Sequence, residues 1–450
     1  MQKSFKNYEK TLNILLLVSI CFVLIFNLFT YDPILGYDAE AHHTYVDYMA
    51  VNKKLPGEGD TYEYFSPPIA YVFPAGVSIV CQNLVDSPDI FNTCRTIYPK
   101  ITQIFQTILY LTALIINLKT IKLFTNSDNL FSTSYLLLIS LGAINYRSIS
   151  MIRGEVYIIL FLSILLYLYL KLIKNNFNYS ENYVLYFGLT ISLLALSRQW
   201  AFFLFPGFFI VAILYKNKKL FLFLAKSFSL GAAFSIWFYF RQFLTSGTFT
   251  AFNKTPMGLS FNNQPLSFYV PTSENLNYLF FKPIRPWLDN QFLSILYSDF
   301  WGDYWGYFVF TSRHLEDGRN QLFIGDYLAR VNLVSILPTI FILFFLFQRN
   351  RMNKEYLLKY INLSIAITFF GYLLFLIIYP ELPTGDTIKS TYMLQLFHLI
   401  LFITAVKIDD YKYKNFKLYN LVILFFLIAY VHNFSTYLSH YNFEFIRNLA

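Results

Sequence analysis

The chain has 450 residues, of which 56% are hydrophobic and only 14% charged, and its formal net charge is +9. Its apolar residues fall in runs of about 15 to 24, long enough to cross a bilayer core of roughly 30 Å, which excludes the soluble globular classes and points to an integral membrane protein. Lys and Arg cluster in short connectors between those runs, the positive-inside pattern, and no DNA- or RNA-reading motif accompanies them, so nucleic acid is excluded as a partner.

The N-terminal MQKSFKNYEK leads into an apolar run that exceeds a signal-peptide core and has no small-x-small cleavage site behind it, so it reads as an uncleaved first span. Further runs follow, giving about eleven spans near 12–30, 101–123, 131–145, 155–173, 183–197, 200–215, 219–240, 331–348, 357–379, 388–406 and 418–436. The expected fold is all-α and integral to the membrane, a single domain over residues 1–450. Two large extracytoplasmic loops, 31–100 and 241–330, are too long for plain connections and should carry short helices. With Lys3, Lys6 and Lys10 in the cytoplasm, alternation places four connector clusters on that side: Lys171/Lys174, Lys216/Lys218/Lys219, Arg349/Arg351/Lys354 and Lys407/Lys412/Lys414/Lys417. The candidate chemistry then falls on the opposite face.

That chemistry starts in the first loop. Asp38 and His42 are four apart and would share one face of a helix, with Glu40 and His43 on its other sides. Asp38 fits a general base and equally a helix N-cap, and Glu40 fits a second catalytic or metal-associated carboxylate or a solvated loop charge. His42 suits substrate binding or orientation of Asp38, and His43 a structural role. Glu58, Asp60 and Glu63 read as a solvated acidic edge. Tyr64-Phe-Ser-Pro67-Pro68 is a rigid turn that can brace this loop.

Four basic residues stand beside apolar runs on the same face: Arg147, Arg153, Arg198 and Lys389. Each suits either a phosphate or a lipid headgroup. In Arg153-Gly154-Glu155 the glycine permits close backbone approach, and Glu155 opens a span whose first amides favour an anion; an Arg153–Glu155 ion pair is the structural alternative. Tyr297-Ser-Asp299-Phe-Trp301-Gly-Asp303-Tyr-Trp305-Gly-Tyr307 offers interfacial anchors or a sugar-stacking surface. Cys81 and Cys94 could pair in an oxidising compartment or remain two thiols. His314, His398, His432 and His440 are scattered, and the sequence has no HExxH, CxxC, P-loop or Gly-rich nucleotide fingerprint.

Asp38-x-x-x-His42, then Leu55-Pro56, then Ser66-Pro67-Pro68-Ile-Ala-Tyr71 resembles the first extracytoplasmic loop of the GT-C glycosyltransferases, the polytopic enzymes that include protein O-mannosyltransferases and lipid A aminoarabinose transferases. Lys389-Ser-Thr-Tyr392 resembles the family's basic-x-x-Tyr opening of a late span. Where the family sets an acidic residue directly after the first Asp, this chain has Ala39 and then Glu40. The resemblance implies transfer of a sugar from a polyprenyl-phosphate-linked donor to a glycan, lipid or protein acceptor, on the outer face of a bacterial cytoplasmic membrane. Asp38 and Glu40 would be catalytic, and His42, Arg153, Arg198, Lys389 and Tyr392 would bind substrate. No cofactor is specified, and a divalent cation is left open. The rival readings are an O-antigen or polysaccharide polymerase, and a lipid-linked sugar flippase or transporter, for which internal repeats or mid-membrane ionisable residues would be the sign.

The topology can be checked with single-cysteine replacements. Glu58→Cys and Ser312→Cys should react with an impermeant thiol reagent in intact cells while Asn217→Cys stays unlabelled; equal labelling of all three would contradict the one-face arrangement.

Overall fold

In hydrocarbon a backbone must satisfy its own hydrogen bonds, so a spanning chain folds into helices or a closed barrel. The computed structural model describes residues 2–440 except 37, 87–88, 126–128, 251, 284–286, 307–317 and 349–354, and within them every regular element is helical. Tyr307, Ser312, His314 and the Arg349/Arg351/Lys354 cluster lie outside the described residues.

The first long helix, α1 (Gln2–Thr30), is followed by two short ones, α2 (Ala39–Asn52) and α3 (Ile69–Leu84), before α4 (Ile90–Thr125). Next come α5 (Thr133–Leu141), α6 (Ala143–Ser150), α7 (Glu155–Lys174) and α8 (Glu181–Ala195). A 3-10 turn at Gln199–Leu204 leads into α9 (Phe205–Leu214), and α10 (Lys218–Ser246) closes the first half. The long loop carries α11 (Leu266–Tyr269), α12 (Ser273–Phe281) and α13 (Phe292–Trp301). The rest is α14 (Gly318–Phe347), α15 (Glu355–Ile378), a 3-10 turn at Ser390–Met393, α16 (Leu394–Lys414) and α17 (Phe416–His432).

Seven helices among the described residues are long and apolar enough to cross a membrane: those of α1, α4, α7, α10, α14, α15 and the stretch Ser390–Lys414. The other four runs expected from hydropathy, 131–145, 183–197, 200–215 and 418–436, are occupied by shorter helices. The run expected at 131–145 is cut at Gly142, whose ψ of 101° leaves the helical region, into α5 and α6, both buried throughout. The runs at 183–197 and 200–215 are separate, as expected, with Arg198 extended between them at φ −160° and ψ 149°, but their helices have only 15 and 10 residues, and α17 has only 17. The loop limits shift for a similar reason: α4 starts at Ile90, α10 continues to Ser246 and α14 begins at Gly318, so helix occupies the margins that polar residues had suggested were loop.

Alternation of the long helices defines two ends. One receives the C-termini of α1, α8, α10 and α15 and the N-termini of α4, α7 and α16, and α2, α3 and α13 pack over it. The other carries the connectors with Lys171/Lys174, Lys216/Lys218/Lys219 and Lys407/Lys412/Lys414/Lys417, joined by pairs such as Lys412 with Glu9 and Lys226 with Glu181. Helix α16 runs through the centre: 89% of its apolar window is buried, against 67% or less in the other six spans.

At the first end the loops are fastened by buried polar groups. Lys100 of α4 donates to the carbonyl of Leu28 at 3.0 Å, satisfying an orphan acceptor at the end of α1. A disulfide joins Cys81 of α3 to Cys94 of α4, which settles the pairing that the sequence left open. Arg147 of α6 does not face lipid headgroups. It is buried and donates to Asp299 at 2.5 Å and to Asp303 at 2.8 Å, so the described part of that segment, 297–306, serves as an internal fastener rather than an exposed aromatic surface. Trp301 is likewise buried, with its indole N–H on Thr339.

Removing one partner of such a buried cluster leaves charge stranded in a low dielectric, which commonly costs about 3–5 kcal/mol. Arg147→Met should therefore lower the thermal unfolding midpoint of the purified protein sharply, whereas Lys226→Met, at the exposed Glu181 pair, should barely move it. Equal small effects would contradict the fastening role.

Candidate anion-binding and proton-accepting site

Asp38 occupies the N-cap position of α2 with φ 57°, in the left-handed region that Asp tolerates at a cost of about 1 kcal/mol. Its carbonyl accepts the first helical bond, from the N–H of His42, but its carboxylate caps nothing. The side chain is turned to Lys389, whose Nζ lies 2.6 Å from Oδ2. The capping reading thus fails for the side chain, and the strained backbone aims the carboxylate at a cation 351 residues away in sequence.

Lys389 is placed just as firmly. Its backbone N–H donates to the hydroxyl of Tyr372 on α15 at 2.9 Å, and that hydroxyl donates to the Thr387 carbonyl at 2.7 Å. The next residue, Ser390, gives its N–H to Asp299 at 2.8 Å and its hydroxyl to the Leu296 carbonyl at 2.9 Å. Helix α13 therefore holds the segment that carries Lys389. The ammonium stands over the rings of Trp305 and Tyr392, at 5.8 and 5.6 Å from their centroids.

Arg198 also neighbours Tyr392, its guanidinium carbon 6.0 Å from the same ring, and Trp200 stacks on that ring at 5.2 Å. Arg198 is a buried hub: it donates to Glu155 at 3.0 Å, to Glu63 at 3.2 Å and to the Ser66 hydroxyl at 2.6 Å. Two sequence readings are corrected here. Glu63 is not a solvated edge but only 4% exposed, because the Pro67-Pro68 turn carries it under the loop to Arg198; Glu58 and Asp60 do remain exposed. Glu155 takes Arg198 rather than its near neighbour Arg153 as its partner. The close approach depends on Gly154, since a Cβ there would stand 2.3 Å from the Ser197 carbonyl oxygen.

His42 is buried one turn into α2. Its Nδ1 makes a 2.6 Å hydrogen bond with the Tyr71 hydroxyl, Tyr71 stacks on Tyr45, and Tyr45 donates to the Ser66 carbonyl. Nε2 of His42 has no hydrogen-bond partner, and His42 lines a small crevice together with Arg153. Burial, helped by the charges of Arg153 and Arg198, holds the His42 pKa well below its usual value, so the ring is neutral at physiological pH. His43 is structural, hydrogen-bonded to Tyr98 at 3.0 Å. Glu40 points away from this group: it is two-thirds exposed and pairs with Arg95 at 3.1 Å, which in turn holds Asp47.

The structure thus brings Asp38, His42, Arg153, Arg198, Lys389 and Tyr392 to one place and leaves Glu40 at its rim. Within the group the formal charges of Asp38, Glu63 and Glu155 cancel those of Lys389, Arg153 and Arg198. For Asp38, burial alone would raise the pKa; Lys389, Arg153 and Arg198 outweigh it and bring the value down to about 2. Relative to 3.8 for an ordinary Asp, this favours the folded state at neutral pH, and the contribution disappears as pH falls from about 4 toward 2. Among the described residues no three His, Cys, Asp or Glu side chains converge in a way that could hold a metal ion.

Beside this group lies an apolar cavity of about 1210 Å³ between α12, α13, α14, α15 and α16. Leu293, Ile340, Leu343 and Phe370 line it and are also exposed on the outside of the bundle, so it is a groove open along the flank rather than a closed void. On α16 it extends from Leu396 to Lys407, about 17 Å at 1.5 Å per residue. Its wall includes Leu296, the residue whose carbonyl binds Ser390.

No protein-family model and no curated protein matches this sequence.

Gly154→Ala should force the 153–155 and 197–198 segments apart, an overpacking that commonly costs 1–3 kcal/mol, with loss of folded protein on heating. Gly76→Ala, where a Cβ meets nothing within 4 Å, is the control and should be neutral or slightly stabilising. If both behave alike, the Gly154 contact is not a constraint.

Proposed function

We propose that the protein is a membrane glycosyltransferase that moves a sugar from a polyprenyl-phosphate carrier to an acceptor on the extracytoplasmic side of the membrane. One observation carries the reading: a long apolar groove is walled by α13, the helix that fixes the segment of Lys389, and Lys389 meets a carboxylate that could serve as a base. A polyprenyl phosphate has just these two parts, a tail that needs apolar cover and a phosphate that needs cations. The resemblance of the Asp38–Tyr71 and Lys389–Tyr392 segments to GT-C enzymes supports the same choice.

In this reading the acceptor hydroxyl attacks the anomeric carbon. The new C–O bond forms as the bond to the carrier phosphate breaks; its electron pair goes to the phosphate oxygen, and the hydroxyl proton goes to Asp38. Lys389, with Arg153 nearby, offsets the charge left on the phosphate. Tyr392 and Trp200 give the aromatic surface beside the sugar, and His42 and Arg198 hold the first loop in place. Glu40 acts through Arg95 on the position of α2 rather than on the reacting atoms. The site end then faces outward and the Lys-rich end the cytoplasm, with further crossings made by the shorter helices.

Cells lacking the protein should accumulate a polyprenyl-phosphate monosaccharide on the outer leaflet, and Asp38→Asn should fail to clear it, with a rate loss of roughly 10²- to 10⁴-fold. Glu40→Gln should clear it at a rate within about tenfold of the wild type. Accumulation on the inner leaflet would instead indicate a flippase, and accumulation of an oligosaccharide repeat on its carrier a polymerase.

A further inference from the structure

An inverting displacement puts base and leaving group on opposite faces of one carbon. Between the base carboxylate and the cation on the leaving phosphate there must then be the acceptor oxygen, the anomeric carbon and the phosphate oxygen. Carboxyl groups that act across such a centre stand about 6.5–9.5 Å apart for the same steric reason. Asp38 and Lys389 are 2.6 Å apart, so no sugar fits between them. The arrangement described is a resting one, and the two groups have to separate before any transfer of the proposed kind.

We infer that the Asp38–Lys389 ion pair is a latch, opened when the phosphate of a polyprenyl phosphate takes Lys389 as its partner and leaves Asp38 as a carboxylate able to accept a proton. The inference rests on the glycosyltransferase reading and adds to it the order of events: the carrier binds first and thereby creates the base. Three features support it. Asp38 already occupies the Lys389 ammonium at 2.6 Å, so an anion that takes Lys389 has to displace that carboxylate. Lys389 is the partner suited to being displaced, because a lysine ammonium is a point charge on a flexible stem, whereas Arg198 is locked by Glu63, Glu155 and Ser66. The backbone of Lys389 is held at Tyr372 and, through Ser390, at Asp299, so only the side chain has to swing.

The charges that face Asp38 determine what the exchange does. Lys389 and Tyr392 come from the 3-10 turn before α16, Arg153 from the turn before α7, Arg198 from the turn after α8, and Tyr62 from the first loop, while Lys254 of the long loop lies within range. His42, its neighbour on α2, is neutral. Lys389 exerts the strongest attraction and also the hydrogen bond. Its transfer to a phosphate removes both and adds a negative charge nearby, and each change makes Asp38 more basic.

The direct test follows the Asp38 carboxylate by infrared difference spectroscopy of the full-length protein in lipid nanodiscs, carrying ¹³C-labelled aspartate, with Asp38→Asn identifying the band. Without added lipid the carboxylate should stay ionised down to about pH 3; with saturating undecaprenyl phosphate its midpoint should rise by about one pH unit or more. Undecaprenol, which has the tail but no phosphate, should leave it in place. Lys389→Met without lipid should raise the midpoint by itself, and if that variant does not fold, the wild-type comparison still decides. Binding of undecaprenyl phosphate with no change at Asp38 would overturn the latch while leaving the glycosyltransferase reading standing. If undecaprenyl phosphate does not bind at all, both fall.

Discussion

A charge buried beside a membrane must have a partner, and this requirement organises the end of the bundle where the candidate chemistry lies. Removing an ion from water costs several kcal/mol even after the protein relaxes, and only short, well-directed pairs recover it. Arg147 recovers it from Asp299 and Asp303, and Arg198 from Glu63 and Glu155. Each pair joins segments far apart in the chain, so the pairs decide which helix ends meet. Asp38 and Lys389 form a third pair, and it differs in kind. The Asp38 side chain is about a quarter exposed, the bond is a single one to a flexible lysine, and the backbone of Asp38 is held in a conformation that serves no cap.

These pairs also link the groove to the polar group. Helix α13 has Leu296, Phe300 and Trp301 on the groove and Asp299 on the opposite side, gripping both Arg147 and the N–H of Ser390. A tail in the groove would pack against the helix that sets the position of Lys389. The apolar and polar parts of a carrier lipid would then be read by one rigid element, with no separate hinge needed.

Much of the candidate site was legible in the sequence because it rests on local chemistry. Asp38 and His42 at a helical spacing, the Pro67-Pro68 brace, the glycine between Arg153 and Glu155, and Lys389 before an apolar run all name residue types whose roles depend on their neighbours in the chain. What was not legible depends on distant partners. Glu63 looked solvated because it follows Glu58 and Asp60 in a polar loop; only Arg198, 135 residues away, makes its burial affordable. Asp299 and Asp303 looked like part of an aromatic surface for the same reason, and Glu40 differs from Asp38 only in which way the helix start turns it. The long spans and the break at Arg198 were readable from hydropathy, while the break at Gly142 was not, because it falls inside a continuous apolar run.

The central claim is that one lipid occupies both the groove and the Lys389 site. Photo-crosslinking tests it most directly, using a polyprenyl phosphate with a diazirine near the end of its tail, followed by mapping of the modified peptides. The account predicts adducts on Phe369, Phe370, Phe397 or Ile400 in the groove, abolished by competing undecaprenyl phosphate and weakened by Lys389→Ala. Adducts spread over the exposed face of α10, with no effect of Lys389→Ala, would contradict it.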